Sequence, residues 1–310
     1  MADEKRIDAA TGTEIKHHEW DGIQELDTPL PRWWLWTFYA TILFAIGYTI
    51  AYPAWPMIDR ATSGLLGWSS RGALDREMAA RDKQIAPVRQ AIATTPIEAL
   101  PGRPQLMQAA VEGGRAAFRV HCVQCHGSGA AGSKGYPNLN DDDWLWGGDL
   151  AAIEKTITDG VRNPGHAATR QSLMPAFGKD QLLTAEQVDQ VVAHVRVISG
   201  QDKPGAASQA GAKVFADNCA VCHGPAGKGM RELGAPNLTD AIWLYGGDTD
   251  TIRETVWNSR HGVMPRWDDK LDKATIRMLA AYVHSLGGGE ATRVETAAAA
   301  GKEVMGDAGQ

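Results

Sequence analysis

Cys122-Val123-Gln124-Cys125-His126 and Cys219-Ala220-Val221-Cys222-His223 decide how this chain is read. C-x-x-C-H is the attachment signature of c-type haem: two thiols join the porphyrin as thioethers, and the adjacent imidazole is held beneath the iron. The spacing suits that task because one turn of backbone must offer both sulfurs to one ring edge and the imidazole to the metal. The two copies consume all four cysteines of the 310-residue chain. Other uses of such cysteines fit less well. A thioredoxin-like pair needs a βαβ setting, and neither copy has one. A Cys₄ zinc site joins pairs roughly 15–20 residues apart, whereas here the second pair begins 97 positions after the first. A disulfide framework gives no reason for a histidine after each second cysteine. Two covalently bound c-type haems are therefore expected, on Cys122, Cys125, Cys219 and Cys222, with His126 and His223 as iron ligands.

Outward from these motifs the chain is two copies of one unit. Gly114 and Phe118 precede the first haem cysteine at the same offsets as Gly211 and Phe215 precede the second. These offsets place glycine and aromatic on one helix face. Pro137-Asn138-Leu139 matches Pro236-Asn237-Leu238, and Trp144-Leu145-Trp146-Gly147-Gly148-Asp149 matches Trp243-Leu244-Tyr245-Gly246-Gly247-Asp248. A helix is predicted after each, around 153–157 and 252–256. Met174-Pro175 or Met264-Pro265 follows, and each unit closes with a helix, 184–198 and 273–286. The first copy is nine residues longer between tryptophan and methionine, within 162–171. The expected class is mainly α: an N-terminal transmembrane helix followed by two tandem class I cytochrome c domains, 109–200 and 205–288. The polar join between them is short, so the domains should touch.

Residues 33–56, WWLWTFYATILFAIGYTIAYPAWP, form the other decisive stretch. No charge occurs between Arg32 and Asp59, and about 20 apolar residues suffice to cross the hydrocarbon core. Trp33, Trp34, Trp36 and Tyr39 at one end, and Tyr52 and Trp55 at the other, form aromatic belts; Pro53 and Pro56 close the helix. A cleavable signal peptide fits poorly, since the tail before the run is long and acidic and the apolar core is too long. Lysine and arginine do not orient it, since Lys16 and Arg32 are matched by Arg60 and Arg71. Haem attachment on the outer side of the bacterial membrane does: residues 1–32, polar and without an apolar period, are expected to be a cytoplasmic tail, flexible up to a short ordered approach from Asp21 to Arg32, and the haem domains periplasmic, in a single-pass inner-membrane protein. Residues 57–108 read as a linker in which Leu74, Met78, Ile85, Val88 and Ile92 recur at helical spacing, a stripe for the chain's own haem domains or for a partner. Residues 289–310 lack any apolar period and read as a disordered tail. Net charge of −6 gives no reason to expect nucleic acid.

Each iron needs a decision on its other face. Met174 and Met264 are the candidates: each precedes a proline in a non-helical segment, at the same place in both copies, and a thioether raises the reduction potential. His166 and His261 are rivals without a counterpart in the other copy. Met78 and Met278, on helical stripes, read as gap-fillers; His17, His18, His121, His194 and His284 read as surface or structural residues. Trp144, Trp146, Trp243 and Tyr245 read as donors to haem propionates, as crevice walls, or equally as plain core aromatics, with Arg162 and Arg260 as further propionate candidates. Asp141, Asp142 and Asp143 read as a solvated loop, or as a patch for a basic donor protein. With both axial positions filled the chain has no open metal site and no catalysis of its own; it relays electrons.

With these residues in hand, the chain resembles the dihaem subunit III of cbb(3)-type cytochrome c oxidases, known as CcoP or FixP. Similarity extends from Asp21-Gly22-Ile23 through Leu30-Pro31-Arg32-Trp33-Trp34-Leu35-Trp36 to Tyr52-Pro53-Ala54-Trp55-Pro56, and to Gly67-Trp68-Ser69-Ser70-Arg71, before the two C-x-x-C-H units with their Met-Pro pairs. The resemblance implies a subunit of a proton-translocating respiratory oxidase that takes electrons from a soluble or membrane cytochrome c, or a quinol-oxidising complex. It would pass them, through a monohaem cytochrome subunit, to the catalytic haem–copper subunit that reduces oxygen to water. A cytochrome subunit of a periplasmic dehydrogenase and a dihaem peroxidase are the alternatives.

Overall fold

The computed structural model describes residues 5–291. It is mainly helical, and its residues pack as two units that divide between Gln84 and Ile85.

The first unit opens with a β-hairpin, β1 (Ile15–Trp20) and β2 (Ile23–Leu26), paired antiparallel. Asp21 and Gly22, both at positive φ, make its two-residue turn; Asp-Gly is a strong signal for such a turn. Strand structure thus begins at residue 15, ahead of the expected start of order at Asp21, as a hairpin within the polar segment. The helix α1 (Arg32–Ala51) follows, long and apolar enough to cross a membrane, with no side chain of the helix buried. Its threonines bond back to their own helix, Thr37 to the Trp33 carbonyl at 2.9 Å and Thr49 to the Ile46 carbonyl at 2.9 Å. With Thr41 bonded to the Phe38 carbonyl at 2.7 Å, each threonine hydroxyl has an acceptor within the helix. The helix ends five residues before the expected boundary at 56: Tyr52 is the cap and Pro53 cannot continue it.

The linker helix α2 (Ser70–Thr94) runs straight through Pro87. Its expected stripe is mostly uncovered, with Leu74, Met78 and Val88 exposed; Ile92 alone of the five is buried, against Ala110, Met278 and Ala281. The last turn is fastened by Arg277, whose guanidinium donates to the carbonyls of Ile92 (3.1 Å), Ala93 (2.9 Å) and Thr95, and to Glu154 Oε1 (2.8 Å). One side chain thus satisfies helix-end carbonyls that the helix cannot.

The haem motifs sit in α3 (Pro104–His121) with the short α4 (Val123–His126), and in α7 (Ala206–Asn218) with α8 (Ala220–His223). The predicted later helices are α5 (Leu150–Asp159), α6 (Ala185–Ile198), α9 (Thr249–Asn258) and α10 (Lys273–His284). Asp149, Thr184, Asp248 and Asp272 cap them, each side chain accepting an N–H of the first turn.

Packing does not follow the tandem boundaries 109–200 and 205–288. Helix α3 packs on α10, and α7 packs on α6. One core therefore joins Phe118, Leu150, Ile153 and Ile157 to Ile276, Leu279 and Val283. The other joins Phe215, Ile252 and Val256 to Phe177, Val188, Val191 and Val195. The two copies have exchanged their closing helices. Gly114 and Gly211 are where the exchanged helices cross: a Cβ at Gly114 would collide with the Met278 carbonyl, and at Gly211 with the Gln190 carbonyl. At each crossing a ring on the incoming helix meets the conserved-offset phenylalanine, Tyr282 on Phe118 at 5.3 Å and His194 on Phe215 at 5.2 Å. Beyond α10 the chain stays packed to Glu290, which exchanges hydrogen bonds with the Gly148 backbone and pairs with Arg231 at 2.5 Å. The expected tail boundary at 289 thus falls inside an ordered contact; residues 292–310 lie outside the described residues.

Candidate haem sites

Both C-x-x-C-H segments are built alike. The first cysteine ends the long helix and its carbonyl accepts from the N–H groups three and four residues on: Cys125 (3.2 Å) and His126 (3.0 Å) in the first copy, Cys222 (3.1 Å) and His223 (2.9 Å) in the second. One turn thereby carries both thiols and the imidazole. None of the four cysteines forms a disulfide. Burial, with the neighbouring cysteine, pushes the Cys122 and Cys219 thiols up to about 11.

His126 Nδ1 lies 3.1 Å from the Pro137 carbonyl and His223 Nδ1 lies 3.0 Å from the Pro236 carbonyl. A carbonyl only accepts, so Nδ1 carries the proton in both rings and Nε2 keeps its lone pair. Burial also lowers both imidazoles below the ordinary histidine value. A neutral, oriented imidazole with Nε2 bare is what a metal requires, and the partner that fixes the tautomer belongs to the site. The donor set therefore fits covalent haem. The matched Pro-Asn-Leu segments are explained by this role.

The Met-Pro loops cross between copies. Met264 packs against the core that holds Cys122 and Val123, and Met174 against the core that holds Cys219 and Ala220. Met264 and Val161, which follows α5, exchange backbone hydrogen bonds of 3.0 and 2.9 Å. The Met174 carbonyl accepts from Ser259 Oγ, just after α9. The nine extra residues of the first copy form a closed loop between Gly160 and Arg170, pinned by Arg170 N–H to the Gly160 carbonyl at 3.1 Å.

His166, one rival ligand, lies in that loop and meets Asp159 at 3.2 Å. His261 is exposed beside the Met264 loop. Of the arginines, Arg162 donates to the Gly262 carbonyl at 2.6 Å. The repeat partner of Arg260 is Arg170, which sequence reading passed over. Arg170 donates to Thr156 Oγ1 (3.0 Å) and the Ala152 carbonyl (3.1 Å); Arg260 donates to Thr255 Oγ1 (3.1 Å) and the Thr251 carbonyl (2.6 Å). Each also lies over an aromatic ring, Arg170 over Trp146 and Arg260 over Tyr245. Both stand four residues before a methionine, a signal that the insertion hides. Trp144 and Trp243 pack into the two cores against Gly148 and Gly247, and the Trp144 indole N–H donates to the Gly288 carbonyl at 2.6 Å. Trp146 and Tyr245 reach across instead: Trp146 covers Gly234 and Tyr245 covers Gly135, each in the other copy's loop before Pro-Asn-Leu.

A membrane-type helix followed by two paired C-x-x-C-H cradles defines the class: an anchored dihaem c-type cytochrome. Comparison with known proteins gives the family. The N-terminal domain of cytochrome oxidase-cbb3, FixP, matches residues 12–59, and the family described as cytochrome C oxidase, cbb3-type, subunit III, matches twice, over 109–195 and 206–283. The chain is 57% identical over 273 residues to the cbb3-type cytochrome c oxidase subunit CcoP of Cereibacter sphaeroides, covering 88% of this chain and 94% of that protein. It is 51% identical over 291 residues to the subunit FixP of Bradyrhizobium sp. (strain ORS 278), covering 94% and 100%, and 51% identical over 287 residues to that of Azorhizobium caulinodans, covering 92% and 96%. The chain belongs to the cbb3-type cytochrome c oxidase subunit III family. It is a membrane-anchored cytochrome subunit with covalently bound c-type haem in two domains. The dehydrogenase and peroxidase alternatives are set aside by this membership.

Proposed function

We propose that this chain relays single electrons within a cbb3-type terminal oxidase, from a cytochrome c or quinol-oxidising donor, by way of the monohaem subunit, to the haem–copper subunit. The observation that carries the reading is the doubled cradle, two imidazoles with Nδ1 committed to a proline carbonyl and Nε2 left for iron, on a chain with this family's anchor. Haem bound in these cradles supplies a reversible one-electron step. Cys122, Cys125, Cys219 and Cys222 hold it covalently. His126 and Met264 would hold one iron, and His223 and Met174 the other, since each methionine packs into the core that contains the other copy's cysteine motif. With a histidine and a methionine committed to each iron, the haems would serve electron transfer, and a thioether donor would raise the potential. Contacts of Trp146 with Gly234 and of Tyr245 with Gly135 keep the two cradles in one rigid frame. The haem domains face the periplasm, where c-type haem is attached, and the hairpin lies on the cytoplasmic side.

Gentle detergent purification through a C-terminal tag tests the reading. Haem b, a CO-reactive haem and oxygen uptake with an artificial donor, all accompanying haem c, are expected. A dehydrogenase flavoprotein or quinoprotein as the companion, without oxygen uptake, would overturn it.

A further inference from the structure

We propose that residues 55–66 form an interfacial foot that lies in the bilayer surface beside the end of α1, so that the chain holds the membrane by a helix and by a second, non-helical element. The partner is the lipid headgroup–acyl boundary.

The argument starts from the last carbonyls of α1. A helix end leaves carbonyls without intrahelical donors, and near hydrocarbon such orphans are costly. Here the chain turns back to supply them: Leu65 N–H donates to the Ile50 carbonyl at 3.0 Å, and Leu66 N–H to the Ala51 carbonyl at 3.1 Å. Gly64, at φ +67°, permits the approach, since any Cβ there would collide with the Ala51 carbonyl. Leu65 and Leu66 are thereby fixed abreast of the last helical turn. A 20-residue helix rises about 30 Å, the thickness of the hydrocarbon core, so that turn lies at the boundary and the two leucines lie there with it.

The intervening residues are folded too. Thr62 N–H donates to the Trp55 carbonyl at 2.9 Å, Thr62 Oγ1 accepts from Trp55 N–H at 3.2 Å, and Met57 N–H donates to the Arg60 carbonyl at 2.7 Å. This small hairpin turns apolar side chains outward. Ile58 is fully exposed, Leu65 is 83% exposed, and Trp55, Met57 and Leu66 are each at least 60% exposed. Only Asp59 and Arg60 are charged, at the tip beside Ile58, and an arginine there can snorkel to headgroups. A contiguous outward apolar cluster in water would be a liability. Joined by hydrogen bonds to a membrane-spanning helix, it continues the lipid-facing surface of α1.

The test is site-directed spin labelling of the full chain in its assembled complex in nanodiscs. The native cysteines are committed to haem, so Leu65→Cys and Ile58→Cys each give one label, with Leu43→Cys in α1 and Arg81→Cys in α2 as references. Labels at 65 and 58 are expected to relax with membrane-soluble oxygen more than with a water-soluble nickel chelate, as at 43 and opposite to 81. Nickel access at 65 and 58 equal to that at 81 would overturn the foot while leaving the anchor intact. Exclusion of both reagents would assign the surface to a protein partner and also overturn it. Nickel access at 43 would remove the anchor on which the proposal rests.

Discussion

Val161 and Met264 exchange both backbone hydrogen bonds across the exchanged packing of the two copies. Met264 belongs by sequence to the second copy, yet its backbone is fixed to the chain that follows α5 in the first. This predicts that the iron ligands pair across the copies, His126 with Met264 and His223 with Met174. In a chain lacking the second attachment site (Cys219→Ala with Cys222→Ala), the remaining haem sits on His126. There Met264→Ala is expected to abolish the methionine-to-ferric-iron charge-transfer band and lower the potential, and Met174→Ala to leave both in place. The reverse outcome would restore ligation within each sequence copy.

Gly114 and Gly211 provide a test of the same exchange through packing. Each lies at a helix crossing where a methyl group meets partner backbone, which cannot rotate away as a side chain can. Gly114→Ala and Gly211→Ala should each cost about 1–3 kcal/mol, as overpacking does, read as a lowered melting temperature. The spectral change should fall on the haem of the substituted motif, His126 for Gly114 and His223 for Gly211. Alanine tolerated at both sites would contradict the crossing geometry.

The anchor, the repeat and the four later helices were legible because each has a strong local signal: an uncharged aromatic-flanked run, matched cysteine offsets, and Asp or Thr at the N-caps. The exchange was not, and the reason is physical. Helices α6 and α10 are repeat equivalents, so either fits the groove beside Gly114 or Gly211, and no residue pattern says which copy fills which. Arg170 was hidden because the insertion shifts its spacing from Trp146 while preserving its spacing from Met174. The hairpin has one local signal, the Asp21-Gly22 turn, within flanks whose polar composition carries no apolar period.

Arg277 should be among the most sensitive positions away from the haem cradles. Its guanidinium is buried, pairs with Glu154, and occupies three carbonyls at the end of α2. Removing one partner of a buried pair typically costs about 3–5 kcal/mol, so Arg277→Met should lower the melting temperature strongly. Arg277→Lys should not rescue it, since a single ammonium cannot reproduce the fork geometry. Glu154→Gln, which keeps an acceptor for Nε, should be milder. Melting followed in far-ultraviolet circular dichroism checks all three; equal, small effects would show that the cluster contributes little.

Asp143 gives a dependence on pH with a definite sign. Burial and the carboxylates of Asp240 and Asp141 push it up to about 6, partly opposed by Arg231. The folded value lies above the ordinary 3.8, so the fold favours the protonated form. The stabilisation this provides is complete below about pH 4 and is lost as pH rises through about 6. Asp143→Asn removes the titration, so its melting temperature relative to the parent should rise across that window and stay at or above the parent's at neutral pH. Titrating groups not coupled to Asp143 are common to both proteins and cancel in the difference. Melting curves for the pair from pH 4 to 8 decide the matter: parallel curves would mean that Asp143 is ionised in the folded chain throughout, with Arg231 compensating the burial in full.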